Sequence, residues 1–366
     1  MIERRKIFEM CGAISSIAAK QTIEASAPCR IDMGGTVDIG AFHYPLRHMG
    51  PCTFNIALNM RTRVVLAPHT PGRVKVSSAG FDSADFDLFE APFDHPLGLM
   101  FSAAAFFKAE GVHIRIESSS PPRSSLGGSS TAAVALIAAL SMAEAMALGK
   151  KPMARRDIAL LAWQLESSVA GVPCGLQDQL AAAYGGVHLW HWHAGQHPPF
   201  GREPLFRAAE CGMLERNLLL AYCGAPHASK DVNSRWMKQF IAGKSRADWA
   251  EIVICTQKFI GALKNKDFKT AAELMNREME IRSRLTPEVF DETGRQLAVA
   301  GAACGCGVRI AGAGGGGCVW ALGEPADVTR LKGEWRKLLA SRKDARLLDV
   351  QIDSKGVVCT AKAFAF

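Results

Sequence analysis

Three stretches of this 366-residue chain hold residue types that do chemistry only when backbone and side chains act together. The first is Pro121-Pro122-Arg123-Ser124-Ser125-Leu126-Gly127-Gly128-Ser129-Ser130-Thr131, which runs straight into an alanine-rich apolar segment. Glycine and serine make a poor core, but they suit a helix start. Free N–H groups and the positive end of the helix dipole attract anions there. Glycine lets the backbone approach a phosphate closely, and serine hydroxyls add donors or a magnesium ligand. The segment follows an expected strand and opens an expected helix, which is the geometry that task needs. It has no GxxxxGK[ST] pattern and no lysine, so it is not a Walker loop. The same residues also suit an ordinary loop with a serine N-cap.

Two further stretches break the tie. Cys174-Gly175-Leu176-Gln177-Asp178-Gln179 sets a carboxylate at a helix start, and Arg309-Ile310-Ala311-Gly312-Ala313-Gly314-Gly315-Gly316-Gly317-Cys318 is a glycine run between two expected strands. Gly312, Gly314 and Gly317 satisfy the dinucleotide fingerprint G-x-G-x-x-G. That fingerprint requires a helix next, whereas CVWAL reads as a strand, and too little chain follows for a dinucleotide domain.

With these motifs in this order, the chain resembles the GHMP kinase superfamily over about residues 22 to 366. That family carries an N-terminal motif on the first strand, a Gly/Ser phosphate loop and a C-terminal Gly-Ala-Gly loop. GAGGGGC matches the last almost letter for letter. The middle motif departs at Ser125, where the family usually has glycine. CGLQDQ is most similar to the galactokinase and heptose-phosphate kinase branch.

The resemblance implies an α+β fold of two domains: a ribosomal protein S5 domain 2-like N-terminal domain, 1–195, and a ferredoxin-like C-terminal domain, 196–366. It implies ATP and Mg2+ as cofactors and a sugar or sugar phosphate as acceptor. Asp178 would be the base, or the orienter, for the acceptor hydroxyl, and Arg30 would hold it ionised and neutralise the transferring group. Ser124, Ser125, Leu126, Gly127, Gly128, Ser129, Ser130 and Thr131 would cradle the nucleotide, with Gly312, Gly314 and Gly315 closing over it. Glu166 with Ser130, or alternately Ser129, would hold Mg2+, an ion content with few protein oxygens. Asp38, Gly34, Gly35 and His227 would meet the sugar. The run Asp32-Met33-Gly34-Gly35-Thr36-Val37-Asp38 is one residue shorter than its counterpart in heptose-phosphate and fucose kinases, and Asp32 is left free to face the other way on the strand. Each residue also has a plain structural reading: Asp178 as a helix-capping acid, Arg30 as a strand-edge arginine, Glu166 as a solvated helix carboxylate. Other activities of the superfamily, mevalonate-type kinases or decarboxylases, and a non-catalytic sugar or nucleotide sensor are the alternatives.

The elements that must position these groups follow from periodicity. Strands are expected at 22–32, 55–69, 73–78, 111–119, 186–193 and 217–224. Helices are expected at about 129–148, ended by Gly149, and at 154–170, ended by Gly171. Residues 229–304 have a helical texture, two strands flank the glycine run, and a helix at about 326–342 and two strands close the chain. Without strict β-α-β alternation, α+β is favoured over a doubly wound sheet. HPPFGREP, 197–204, is the best linker candidate.

Composition excludes other classes. The net charge of +8 is spread along the chain with no nucleic-acid motif, and a modest positive field suits anionic ligands. The longest apolar run, Thr131 to Leu140, is too short to span a bilayer, so no membrane partner is expected. The basic and apolar N-terminus faintly resembles a signal peptide, but Glu9 interrupts it, and a short helix on the body is expected instead. The 11 cysteines are odd in number and scattered, with no CxxC pair, which points to reduced thiols in a cytoplasm. His191 and His193 share a strand face and His188 and His197 lie nearby, but no second ligand group accompanies them. The assembly expected is a monomer or homodimer.

Overall fold

The computed structural model describes residues 12–171, 173–224 and 232–363. Long runs of alternating apolar residues build the larger sheet. Its strands are β1 (Gln21–Met33), β2 (Cys52–Pro68), β3 (Arg73–Ser78), β4 (Ala84–Asp87), β5 (Val112–Ser118), β6 (Val187–Trp192), β7 (Phe200–Pro204) and, from the far end of the chain, β12 (Val358–Ala363). The order is β12-β1-β2-β5-β3-β4, and β6 pairs with both β2 and β7. Among the described residues only β3 and β5 run parallel. The second sheet, β11-β8-β10-β9, is antiparallel and comprises β8 (Leu218–Tyr222), β9 (Gly307–Ile310), β10 (Cys318–Leu322) and β11 (Arg346–Leu348).

In chain order the helices are α1 (Ala13–Ala18), α2 (Gly40–His43), α3 (Gly98–Phe106), α4 (Gly128–Leu148), α5 (Arg155–Val169), α6 (Gln177–Tyr184) and α7 (Cys211–Glu215), followed by α8 (Val232–Ile241), α9 (Arg246–Lys264), α10 (Phe268–Leu285), α11 (Glu292–Ala303) and α12 (Pro325–Ala340). Gly149 ends α4 in the left-handed conformation, as a C-terminal glycine should. Among the described residues α4 is the one helix long and apolar enough to cross a membrane. Alanine, serine and threonine spread its apolar character over more residues than its unbroken core run, and most of it is buried in the fold, packed on α1, α5 and β1.

One expectation changes. The segment 197–204 is not a linker, because Phe200 to Pro204 pair with β6. The large sheet also crosses the 195/196 division, since both β7 and β12 lie C-terminal to it. The two halves share one apolar core. Cys29, Ile31, Met33, Phe54 and Ile56 pack in the same cluster as Leu220, Phe259 and Trp320. On the other flank, Phe42 of α2 sits 4.9 Å from Phe240 and 4.3 Å from Trp249, ring centre to ring centre. Close packing of this kind makes the contact between the halves a fixed geometry.

Candidate active site

The register of β1 shifts between Pro28 and Cys29, where β2 contributes extra residues. Proline cannot donate to the ladder, so a bulge there is its natural place. Beyond it β1 leans toward the start of α4, and the Arg30 N–H donates to the Leu126 carbonyl at 3.1 Å. The Arg30 side chain enters the cleft almost fully buried. Its Nε donates to Asp178 Oδ1 at 2.8 Å and its Nη2 to Asp178 Oδ2 at 3.0 Å. Its Nη1 donates to the Ser125 carbonyl at 2.7 Å. Burial disfavours the guanidinium's charge, but Asp178 and Asp32 outweigh it and raise its pKa.

The first turn of α6 sends three polar side chains three ways. Gln177 accepts from Asn55 Nδ2 at 2.9 Å, Asp178 takes Arg30, and Gln179 Nε2 donates to Glu166 Oε2 at 2.7 Å. Successive helical residues are about 100° apart, so one short turn reaches three neighbours. Ser130 Oγ also donates to Glu166 Oε2, at 2.7 Å. Burial pushes the Glu166 carboxyl up, against the hydrogen bonds from Ser130 and Gln179. One carboxylate and one hydroxyl, beside a helix start open to anions, fit a Mg2+ ion that takes its remaining oxygens from phosphates and water. Among the described residues no three His, Cys, Asp or Glu side chains group into a metal site, and His191 pairs with Glu203 instead.

Asp38 lies on the other side of α6. It is buried, its Oδ2 accepts the Gln177 N–H at 3.0 Å, and its carboxyl fills the space a Cβ on Gly175 would need. Burial pushes this carboxyl up to about 7, with Asp178 and Asp32 adding to the effect and the Gln177 N–H opposing it.

A family profile described as GHMP kinases N terminal domain matches residues 98–186, and one described as GHMP kinases C terminal matches 259–341. The chain belongs to the GHMP kinase superfamily. Solved structures with the same fold include a galactokinase from Lactococcus lactis complexed with galactose, at 16% identity and TM-score 0.70, covering 96% of this chain and 99% of that one. A D-glycero-D-manno-heptose 1-phosphate kinase from Bacteroides thetaiotaomicron has 16% identity and TM-score 0.68, covering 94% and 100%. A phosphomevalonate kinase from Streptococcus pneumoniae, in complex with phosphomevalonate and AMPPNP, has 13% identity and TM-score 0.70, covering 90% and 99%. No curated protein matches the chain by sequence.

Within this GHMP fold the remaining motif residues divide into two groups. Gly128 and Ser129 are exposed at the start of α4, where the first N–H groups of a helix have no partner within it. Gly127, left-handed at φ 77°, precedes them, and a Cβ there would lie 3.1 Å from Asp178 Oδ2. Leu126 and Thr131 instead face the core, and Thr131 Oγ1 donates to the Gly127 carbonyl at 2.8 Å. Gly34 packs under Thr256, where a Cβ would lie 2.6 Å from its hydroxyl. Gly35 leaves room for Asp32 and Gln177. The third glycine run is the joint between the halves. The Cys318 N–H donates to the Ser124 carbonyl at 2.9 Å and the Gly312 N–H to Asp32 Oδ1 at 3.0 Å, whereas the Gly315 N–H stays within its own half, on the Val289 carbonyl at 2.8 Å. His227 lies outside the described residues.

Sequence reasoning missed the charges behind the site. Asp32, on the same strand face as Arg30, meets Arg309 Nη1 at 3.0 Å and Arg30 Nη1 at 3.8 Å. Arg309 Nε donates to Glu278 Oε2 at 3.1 Å, and Arg282 Nε to Glu278 Oε1 at 2.6 Å. Arg282 Nη2 ends the row on the Gly35 carbonyl at 2.7 Å. Asp32, Glu278, Arg282 and Arg309 are completely buried. With Arg30 and Asp178 the row has three positive and three negative groups. Burial opposes the ionised form of Asp32, but Arg309 and Arg30 hold its carboxyl below the usual range. Only the isolation of Asp32 and Arg309 beside recognised motifs hinted at this pairing.

Proposed function

We propose that the protein is an ATP- and Mg2+-dependent kinase that phosphorylates a hydroxyl of a sugar or sugar phosphate, of heptose-phosphate, galactose or fucose type. The observation that carries the reading is the two-pronged Arg30–Asp178 pair at 2.8 and 3.0 Å, set against the glycine turn that opens α4. Phosphoryl transfer asks little covalent chemistry of a protein; it asks for alignment and for compensation of spreading negative charge. Asp178, whose side chain keeps some solvent exposure, would orient the acceptor hydroxyl and take up its proton as the oxygen bonds to the γ-phosphorus and ADP departs. Arg30 would keep Asp178 ionised and face the moving phosphoryl group. The N–H groups of Gly128, Ser129 and Ser130 would hold the nucleotide phosphates. Ser130 and Glu166 would hold the Mg2+, which supplies charge neutralisation between the phosphates. Asp38, ionised, would accept sugar hydroxyls. We place the division of domains at 1–195 and 196–366, with β7 and β12 returning across it to the larger sheet, and the site of action in the cytoplasm, as a monomer or homodimer with no nucleic-acid or membrane partner.

The test is ADP release with ATP and Mg2+ against heptose 7-phosphate, galactose, fucose, mannose, glucuronate, mevalonate and homoserine. Turnover is expected with a sugar or sugar phosphate. Asp178→Asn should lower kcat by about 1,000-fold while ATP still binds. Turnover with mevalonate or homoserine alone, or an Asp178→Asn variant as active as the parent, refutes the reading.

A further inference from the structure

Arg309 belongs to the C-terminal half, on β9, and it touches neither Asp178 nor the α4 phosphate loop by any hydrogen bond or ion pair on the described residues. Its place in the charge row still bears on both. Asp32 stands 3.8 Å from the guanidinium that grips Asp178, so Arg30 has two carboxylates within reach, one completely buried and one part-exposed. It bonds only one of them. The geometry supplies the reason: Arg309 Nη1 sits 3.0 Å from Asp32 Oδ2 as an ion pair, although its hydrogen bond goes to the Ile310 carbonyl and Oδ2 accepts none, and the Gly312 N–H takes Oδ1. Asp32 is therefore already compensated, and Arg30 is left whole for Asp178. Glu278 fixes Arg309 from behind at 3.1 and 3.2 Å, and shares its charge with Arg282.

We propose that Arg309 is a positioning residue for the phosphoryl-transfer site: by occupying Asp32 it keeps Arg30 committed to Asp178. The role rests on the reading of Arg30 and Asp178 as the catalytic pair. It also links the two halves. The device works only when β9 and its glycine run are docked on β1, so the pair is set by docking of the second domain. A buried carboxylate stripped of its partner seeks the nearest cation, because an uncompensated charge in the interior is costly. Without Arg309 that cation is Arg30, which would turn from Asp178 toward Asp32.

The experiment compares Arg309→Gln, Asp32→Asn and the double variant with the parent by crystallography and by steady-state kinetics, kcat being counted per ATP-binding site. In R309Q, Arg30 should move onto Asp32 and release at least one Asp178 oxygen. Its kcat should fall about 100-fold, the scale of losing one preorganised charge, with the KM for ATP nearly unchanged. In the double variant Asp32 no longer competes. Arg30 should return to Asp178, and kcat should recover to at least ten times that of R309Q, as a coupled pair requires and two independent losses do not. A purely structural Arg309 predicts fewer folded molecules with normal turnover per site, or a double variant no better than R309Q; either result overturns the proposal. If R309Q does not fold, D32N decides: kcat within about tenfold of the parent supports the competition, and a loss beyond 100-fold shows that Arg30 needs Asp32 itself. A parent protein that turns over no acceptor defeats the kinase reading, and the crystallographic position of Arg30 in R309Q still settles this one.

Discussion

Replacing Asp38 by asparagine should make the protein more stable at alkaline pH, although the residue lies in the acceptor site. The carboxyl is 5% exposed and burial pushes it up to about 7, whereas a free aspartate titrates at 3.8. Between those two values the folded chain keeps a proton that the unfolded chain has lost. The unfolded state then binds fewer protons, so stability falls as pH rises through the window and levels off above it. A displacement of roughly three pH units is worth about 4 kcal/mol in total at about 1.4 kcal/mol per unit. About 3 kcal/mol of this should appear between pH 5 and pH 8. Asparagine has the shape of the protonated acid, and its oxygen can still accept the Gln177 N–H. The assay is urea unfolding of the parent and of Asp38→Asn across that range, with the difference between them cancelling every other titrating group. D38N should gain on the parent as pH rises and be the more stable at pH 8. A difference that does not change with pH refutes the reasoning, because it means the folded and unfolded chains ionise Asp38 alike.

Three further predictions concern the metal site and the loops. Glu166→Gln should raise the Mg2+ concentration needed for half-maximal turnover by about tenfold, with the fold intact by circular dichroism, because one of two protein oxygens loses its charge. Ser125, at φ 64°, sits where the family usually has glycine; Ser125→Gly should raise the unfolding free energy by about 1 kcal/mol, measured in urea, by removing left-handed strain. At Gly317, φ 84°, a Cβ would lie 2.8 Å from the Ser124 carbonyl carbon and oxygen. Gly317→Ala should therefore push the glycine run off the phosphate loop, raise the KM for ATP and lower stability by about 2 kcal/mol in the same assay.

The parts of the fold that sequence made legible are those whose signals are local. Gly149 and Gly171 bracket two helices because a left-handed residue ends a helix wherever it falls. The start of α4 was readable because Gly127 to Ser130 combine turn freedom with hydroxyl donors in four consecutive positions. The pairing of Ser130 with Glu166 came from the family resemblance, and the structure sets them 2.7 Å apart. Strand β7 was hidden because three prolines and a glycine in HPPFGREP are loop chemistry locally, while its pairing with β6 is decided by the neighbouring strand. The charge row was hidden for a related reason. Glu278 and Arg282 lie four apart on a helix, which reads as a solvated pair, and only the approach of Arg309 and the Gly35 carbonyl, distant in sequence, turns them inward. Asp32, left free to face away from the site, instead shares the face of Arg30 two residues before it, and only the second domain, through Arg309, covers that face.

The return of β12 to the edge of β1 bears on how the protein is made. Gln21 pairs with Ala363 and Ser26 with Val358, so the first long strand to leave the ribosome finds its outer neighbour only when the last described strand has been synthesised. Until then the nascent N-terminal half carries an open β edge, a template for wrong partners. Contacts this distant in sequence also slow folding. The sheet that carries Arg30 is therefore completed only once residues 358–363 are available, and chains stalled before residue 358 should be the ones that chaperones hold or proteases remove.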